Sequence, residues 1–462
     1  MRCVTFGGRA LWLGLAAIGC ACRTELPAQP LLVPEDRAFL EGLARDVVEA
    51  SRVPVGESAG GQGPNSTGRT LIRPGGREDY PAFWIRDYAM SLDCGVVPGS
   101  EQLPLLLLTA AAQSITAAPR ELASGSCVPS GSIPDHITFR GVPIFFPGTL
   151  DDDEHQGGEL WGRLPPLDDA FYFVHMAREY VRATGDLSIW TREVDGHALA
   201  ERLWFAVSMP PRGAESPLVR VAADERGVGF GFDDSVTHTG ELLFASALAY
   251  QAFEELGELC RLAAERSPAR ERELADAERC AAIAAELRTA LGATFATPSG
   301  LLRASTGTSS QPDVWGTAFA VYVGALEPDV EARACAALAR EYTNGHIAWR
   351  GSIRHVPTNA DARADSAWER SLAPLNRYQN GAYWSTPTGW VAYALAKQDR
   401  ELAARLFREL VADLRAGDFR KGAEFGAPWE CQHPDGDHRQ NPIYMTSVTC
   451  PLAALQRLES GR

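Results

Sequence analysis

An all-α fold, six helical hairpins closed into an (α/α)6 toroid with long loops and minor β pieces, is what this 462-residue sequence predicts. Three observations predict it. Apolar residues recur at helical spacing in about twelve segments, and no segment sustains the alternation of a strand. Many of the segments are joined by long loops rich in Gly, Pro and Asp.

Leu40, Leu43, Ala44, Val47 and Val48 mark the first helix, a weaker segment near Trp84 the second, and 103–115 the third. Residues 171–180, a weaker segment near Ala198 and 242–256 follow. Then come 282–291, 319–323, a segment near Val330, 391–396, 402–414 and 452–458. Short β pieces fit 136–146 and 218–221. Residues 270–288, with their Glu, Arg and Ala repeats, have the solvated face of an outer helix. Paired helices also suit an open solenoid, and only motifs that must meet in space separate the two. In a barrel the long loops gather at one end, where sites are built.

The composition, 45% hydrophobic and 22% charged, supplies apolar material for one large core or two smaller ones. Length alone suggests two or three domains, yet closed barrels of this size form single units. The formal net charge of -15 repels nucleic acid and anionic membranes, and no block of Lys and Arg overrides it. Nucleic-acid partners are excluded on that ground, and a neutral or cationic substrate is favoured over a polyanion.

Residues 1–20 read as a processing segment. Arg2 and Arg9 supply positive charge, and 10–19 (ALWLGLAAIG) is an apolar stretch too short to span a bilayer as a helix. It runs into Ala17-Ile18-Gly19-Cys20, which resembles a bacterial lipobox with Cys20 as the lipidated residue, although Ala17 stands where Leu is usual. A plain secretory signal cut near Cys20 or Cys22 is the alternative. Residues 21–35, with Pro27, Pro30 and Pro34, then form a tether, and 36–462 a single domain. The expectation is an exported monomer, periplasmic, cell-surface or secreted, that meets the membrane only through a lipid anchor.

Cys94, Cys127, Cys260, Cys280, Cys335, Cys431 and Cys450 form no CxxC or Cys/His pattern, so neither a metal nor another cofactor is expected. Export permits disulfides. Spacing suggests Cys94 with Cys127, Cys260 with Cys280 and Cys431 with Cys450, with buried free thiols as the alternative.

Four stretches combine aromatics, Gly and acids. In Phe83-Trp84-Ile85-Arg86-Asp87, an Arg-Asp pair can grip neighbouring sugar hydroxyls while the indole packs on the C–H face; a helix cap with a buried salt bridge is the plainer reading. In Pro165-Pro166-Leu167-Asp168-Asp169-Ala170-Phe171-Tyr172, a carboxyl at a Pro-set helix start lies among aromatics, where desolvation raises its pKa toward that of a general acid. N-capping explains an Asp there equally well. Arg377-Tyr378-Gln379-Asn380-Gly381-Ala382-Tyr383-Trp384 offers amides, a stacking wall and a close-approach glycine, or simply a turn. Ala427-Pro428-Trp429-Glu430-Cys431, with His433-Pro434-Asp435-Gly436, places one Glu beside Trp in a loop before the last helix, as suits a general base. An ordinary surface Glu is its bland reading.

In this order the set resembles the six-hairpin glycosidases, and in motif order most closely the alkaline/neutral invertases and their glucoamylase-like relatives. The carriers are Trp84-Ile85-Arg86-Asp87-Tyr88, Pro166-Leu167-Asp168 running to Thr184-Gly185-Asp186, Tyr378-Gln379-Asn380-Gly381-Ala382-Tyr383-Trp384, and Trp429-Glu430. The resemblance spans roughly 80–455 at motif level and departs at Asp169, at Ala382 and in the missing residue between Trp429 and Glu430. It implies a catalytic domain acting on carbohydrate, with Asp168 as general acid and Glu430 as general base of an inverting hydrolysis. Asp169 competes for the acid role and otherwise binds substrate. Trp84, Arg86, Asp87, Trp315, Tyr378, Gln379, Asn380, Trp384 and Trp429 would hold the terminal sugar.

Weaker candidates remain. Asp151-Asp152-Asp153-Glu154-His155 offers oxygen ligands for a cation but lacks calcium-loop spacing, so a solvated loop is the simpler reading. In Gly231-Phe232-Asp233-Asp234-Ser235 through Thr237-His238-Thr239, capping explains Ser and Thr, while Asp233 or His238 could face the pocket. An epimerase or lyase on the same toroid would use His238, His355 or His433; a phosphorylase would need a phosphate site such as Arg350 and Arg354; a glycan-binding lipoprotein would keep the pocket without turnover.

Overall fold

In the computed structural model, residues 30–460 are described except 78, 151–153, 214, 223–227, 267–268 and 361–367. The leader with Cys20 and the acidic run 151–153 therefore lie outside the described residues. Every helical segment expected from periodicity forms: α1 (Pro34–Ala50), α2 (Ile85–Met90), α3 (Gly99–Ala112), α4 (Asp169–Thr184), α5 (Leu199–Ser208) and α6 (Leu243–Ala264). They continue with α7 (Arg270–Phe295), α8 (Val314–Val323), α9 (Pro328–Thr343), α10 (Thr388–Ala396), α11 (Arg400–Gly417) and α12 (Thr446–Ser460).

The even-numbered helices make a closed ring. α2 packs on α4, α4 on α6, α6 on α8, α8 on α10, α10 on α12, and α12 returns to α2. The odd-numbered helices lie outside: α3 on α4, α5 on α4 and α6, α7 on α6, α9 on α8 and α10, α11 on α10, and α1 on α11 and α12. Closure of α12 on α2 rules out the solenoid.

Local sequence explains which layer each helix joins. α8 (VWGTAFAVYV) is buried from Val314 to Tyr322, as an inner helix must be. Asp313 caps it by accepting from Gly316 N at 2.7 Å, and Gly324 ends it at φ 77. α11 keeps an apolar stripe of Leu406, Phe407, Leu410, Val411 and Leu414 turned inward, each side chain contributing about 1.5–3 kcal/mol by burial. α7 buries only Ala277, Cys280, Ala284, Leu287, Leu291, Gly292 and Phe295 along its 26 residues, the outer character expected of 270–288.

All six inner helices run the same way. Their N-termini meet at one end, where Arg86 of α2 pairs with Asp168 and Asp169 at the start of α4, and Tyr444, just before α12, reaches Asp87. Their C-terminal halves meet at the other, where Arg457 of α12 lies over Tyr322 of α8 and Tyr393 of α10.

The N-terminal end carries two antiparallel sheets. One joins Ala82–Trp84, His136–Thr138 and Pro143–Ile144, with Trp84 opposite His136. The other runs Ala348–Trp349, Ser352–Arg354, Tyr383–Trp384, Trp429–His433 and His438–Pro442 in sequence order. Sequence patterning missed the second sheet and placed Trp429-Glu430 in a loop; strands of two or three residues are too short to show a period. Leu31 and Leu32 are buried in the core, and α1 starts at Pro34. All seven cysteines described are buried free thiols. Cys260 and Cys280 meet between α6 and α7, while Cys94 lies beside Cys450, crossing two pairings that spacing suggested. No helix among the described residues is long and apolar enough to cross a membrane.

Candidate active site

Arg86 is the hub of the ring's N-terminal end. It is set by the sharp passage from the strand Ala82–Trp84 into α2. Its guanidinium, 3% exposed, meets Asp135 through Nη1 at 2.8 Å, Asp168 through Nε at 2.9 Å and Asp169 through Nη2 at 2.8 Å. Asp168 Oδ2 also accepts from Gly231 N at 2.8 Å, so the loop before α6 is tied to the start of α4. One guanidinium cannot neutralise three buried carboxylates, and the cluster divides accordingly. Burial pushes Asp135 up, but Arg86 and His136 outweigh it and hold the carboxyl down at about 2. Asp169 is driven well above the usual range by burial, with Arg86 opposing and Asp168 and Asp135 adding to the rise.

Gly231 touches this hub without room for a methyl: an added Cβ would lie 1.8 Å from Arg86 Nε. Gly231→Ala is expected to displace the guanidinium and lower both the melting temperature and the activity, as thermal unfolding followed by circular dichroism would show. An unchanged melting temperature would mean that the loop gives way freely.

Glu430 lies on the strand Trp429–His433, 1% exposed, and alternation turns it away from Trp429 and Cys431. Its Oε1 accepts from Tyr80 at 2.5 Å and from Tyr378 at 3.4 Å, and its Oε2 from Asn441 of the adjacent strand at 2.5 Å. Burial raises its pKa to about 8; Tyr80 and Asn441 pull it down, and the charges of Asp87 and Asp234 push it up. Asp87, one residue past the hub, accepts from Tyr444 at 2.5 Å, and burial lifts it to about 6.

The third component is the turn 231–235. Gln379 clamps it, accepting from Ser235 N at 2.6 Å and donating to Gly231 O at 3.2 Å. Gln379 also bonds the Asp234 carboxyl, whose pKa burial raises to about 7 against the pull of Arg86. Asp233 points the other way, to His355 Nδ1 at 3.2 Å and His238 Nε2 at 3.8 Å, and burial lifts it too to about 7. Of these two acids, Asp234 is the more open.

Aromatic rings pack around these groups. Trp84 stacks on His136 at 4.5 Å and meets Tyr80 edge-on at 5.0 Å, while Tyr80 contacts Tyr444 at 5.6 Å. Trp384 packs against Phe232 and Tyr378, each at 5.2 Å. Trp84, Arg86, Asp87, Asp168, Asp169, Tyr378, Gln379 and Glu430 thus lie together at this end of the ring. Several expected sugar contacts do not reach the space directly. Trp315 and Trp384 are 1% and 0% exposed and back the wall rather than form it. Asn380 turns into its own loop, donating to Ala373 O at 2.9 Å. Trp429 is half-buried on the far side of its strand, near Arg439.

Sequence reasoning missed Tyr80, Asp135, Asn441 and Tyr444, isolated residues outside any dense stretch. Asp234 fell inside a marked segment but went unchosen beside Asp233.

No protein-family model matches the chain, and no curated protein matches it in sequence. Solved structures do match in fold. A "Glycosidase Wild Type" is 15% identical over 93% of this chain and 99% of its own, at a TM-score of 0.52. The glucoamylase from Saccharomycopsis fibuligera is 11% identical over 92% and 96%, at 0.55. The mannosylglycerate hydrolase from Thermus thermophilus, in complex with glucose, is 15% identical over 90% and 99%, at 0.54. Such likenesses show the all-α toroid, shared here with glycosidases.

Proposed function

We propose that this chain is a glycoside hydrolase that cleaves the terminal sugar from an oligo- or polysaccharide by inversion, with Glu430 as general base. The observation that carries this reading is a base held by Tyr80 and Asn441 among aromatic rings, with a second carboxyl, Asp234, in electrostatic reach of it. Inversion needs two carboxyls with room for a water beside the sugar, about 6.5–9.5 Å apart, and that separation is expected of Glu430 and Asp234.

The acid role passes from Asp168 to Asp234 in this proposal. Asp168 has both oxygens engaged by Arg86 and one also by Gly231 N, and it is 0% exposed. This carboxyl is engaged in holding the guanidinium and the loop. Asp168 and Asp169 instead position Arg86. Asp234 gives its proton to the glycosidic oxygen as the C–O bond breaks, and the bonding pair leaves on that oxygen. Glu430 takes a proton from the water that attacks the anomeric carbon from the opposite face. Asp87 accepts from sugar hydroxyls, and Trp84 and Tyr80 pack on the ring. Solved glycosidases of the same fold, one of them with glucose bound, support a carbohydrate substrate. Export through residues 1–20 with a lipid on Cys20 is part of the proposal and is tested by the mass of the mature N-terminal peptide.

The decisive experiment is release of monosaccharide from a panel of α- and β-glycosides with the first-formed anomer read by NMR. Inversion supports the proposal; retention gives one carboxyl a nucleophile's role; no cleavage of any member leaves a binding protein.

The titration carries its own prediction. Activity needs one proton shared by the pair, on Asp234 and not on Glu430, which is the minor of the two arrangements because Glu430 holds its proton to the higher pH. Below about 7 both carboxyls are protonated and the base is lost; above about 8 both are ionised and the acid is lost. kcat/KM is therefore expected to rise roughly tenfold per unit up to about 7, peak between the two values and fall beyond about 8. An optimum near 5 would contradict the environments assigned to both groups.

A further inference from the structure

Two adjacent carboxyls on the turn 231–235 are held from different sides. Gln379 bonds Asp234, whereas Asp233 reaches His355, one residue past the strand Ser352–Arg354. His355 has no part in the hydrolysis as described above, yet it is 1% exposed and fixed at several points. Its carbonyl accepts from Val314 N at 2.9 Å, which moors it to the first residue of α8. Its ring lies flat on Trp315, with 4.4 Å between centroids and 3° between planes, and Trp368 closes in at 5.0 Å. Trp315, expected from the sequence to touch sugar, thus carries an imidazole instead.

The two ring nitrogens reach two different carboxyls. Nδ1 lies 3.2 Å from Asp233 Oδ1, and Nε2 lies 3.1 Å from Asp313 Oδ1. That same Asp313 oxygen accepts from Gly316 N and caps α8, so it is itself anchored. A neutral imidazole carries one N–H; attraction at both nitrogens takes a second proton, on the ring or on Asp233. Burial lifts Asp233 to about 7, and the charge of His355 opposes the rise. His238 lies 3.8 Å from Asp233 Oδ2, but burial presses its pKa down to about 3, so it brings no charge. The link from the turn to the helix cap therefore runs through His355.

We propose that His355 is a positioning residue for the general acid: by tying Asp233 to the capped start of α8, it sets the turn 231–235 so that Asp234 is the carboxyl presented to substrate. Neighbouring side chains on one tight turn diverge, so drawing Asp233 back turns Asp234 the other way. Asp233 is buried and Asp234 is the more open, as this division requires. Gln379 grips the same turn through Ser235 N and Gly231 O, so the acid is braced from two sides. Stacking on Trp315 keeps the imidazole from rotating away from its two partners. The inference rests on Asp234 as the acid, and the test below separates the two.

The test compares two glycosides of the sugar released in the panel. One has a sugar as leaving group, which must be protonated to depart; the other is the dinitrophenyl glycoside, whose phenolate departs without a proton. His355→Gln keeps a donor but cannot bridge two carboxyls. Its kcat on the sugar-leaving substrate is expected to fall at least about 10-fold, since misplacing a reacting group by about 1 Å costs on the order of 10²-fold. On the dinitrophenyl glycoside kcat should stay within about 3-fold, with KM little changed on both. A merely structural role would lower both substrates alike. Asp233→Asn cuts the same tie from its other end and should repeat the pattern even if His355→Gln folds poorly. Asp234→Asn, run beside them, loses the sugar-leaving substrate selectively if Asp234 is the acid. Given that result, equal losses on both substrates in His355→Gln and Asp233→Asn, or no loss in either, overturn the positioning role and leave the acid in place. An Asp234→Asn that loses both substrates alike overturns the acid assignment and this inference with it.

Discussion

Glu430→Gln and Asp234→Asn are each expected to lower kcat by at least about 10²-fold, the lower range for a general acid or base, while far-ultraviolet circular dichroism stays that of the wild type. Both changes keep size and remove only the titration. In Glu430→Gln the amide oxygen still accepts from Tyr80 or Asn441, so the strand and its neighbours are held. Asp168→Asn is the informative comparison. If Asp168 only positions Arg86, its loss should appear as lower stability with a smaller fall in kcat. A near-normal Asp234→Asn beside an Asp168→Asn that loses about 10²-fold or more would return the acid role to Asp168.

The second large effect concerns stability. Arg86→Met is expected to cost about 3–5 kcal/mol, the range for removing one partner from a buried ion pair. The change strands Asp135, Asp168 and Asp169, each 0% exposed, beside an apolar side chain. Against a typical total of about 5–15 kcal/mol, that is enough to leave part of the population unfolded at about 37 °C. Denaturant unfolding should show the midpoint falling with little change in slope. Arg86→Lys should recover only part of the loss, since an ammonium cannot serve three carboxylates as a planar fork does. A midpoint unchanged in Arg86→Met would show that the carboxylates simply take up protons and that the guanidinium is dispensable.

Much of this architecture was legible in the sequence because inner and outer helices bury different stripes. The all-apolar α8 and the striped α11 declare their layers without any tertiary information. The closure was not legible: periodicity is the same in a ring and a solenoid, and only α12 packing on α2 separates them. At the site, dense motifs marked Arg86, Asp87, Gln379 and Glu430, since several special residues in a row leave a local signal. Tyr80, Asn441 and Tyr444 act singly across long sequence gaps and leave none. Asp168 and Asp234 show a further limit. A carboxyl after Pro-Pro-Leu and one after Gly-Phe-Asp look alike as letters, and only the guanidinium beside the first and the clamp of Gln379 on the second tell them apart.

The ring's closure also orders events in time. Asp87 comes early in the chain, whereas its partner Tyr444, the strand bearing Glu430 and the helix that seals the circle all come after residue 428. A nascent chain still missing that stretch can hold Arg86 among its carboxylates, because those residues all precede 170. It cannot yet hold Glu430. The site is thus incomplete in such a chain, and it is completed when the final hairpin docks against the first.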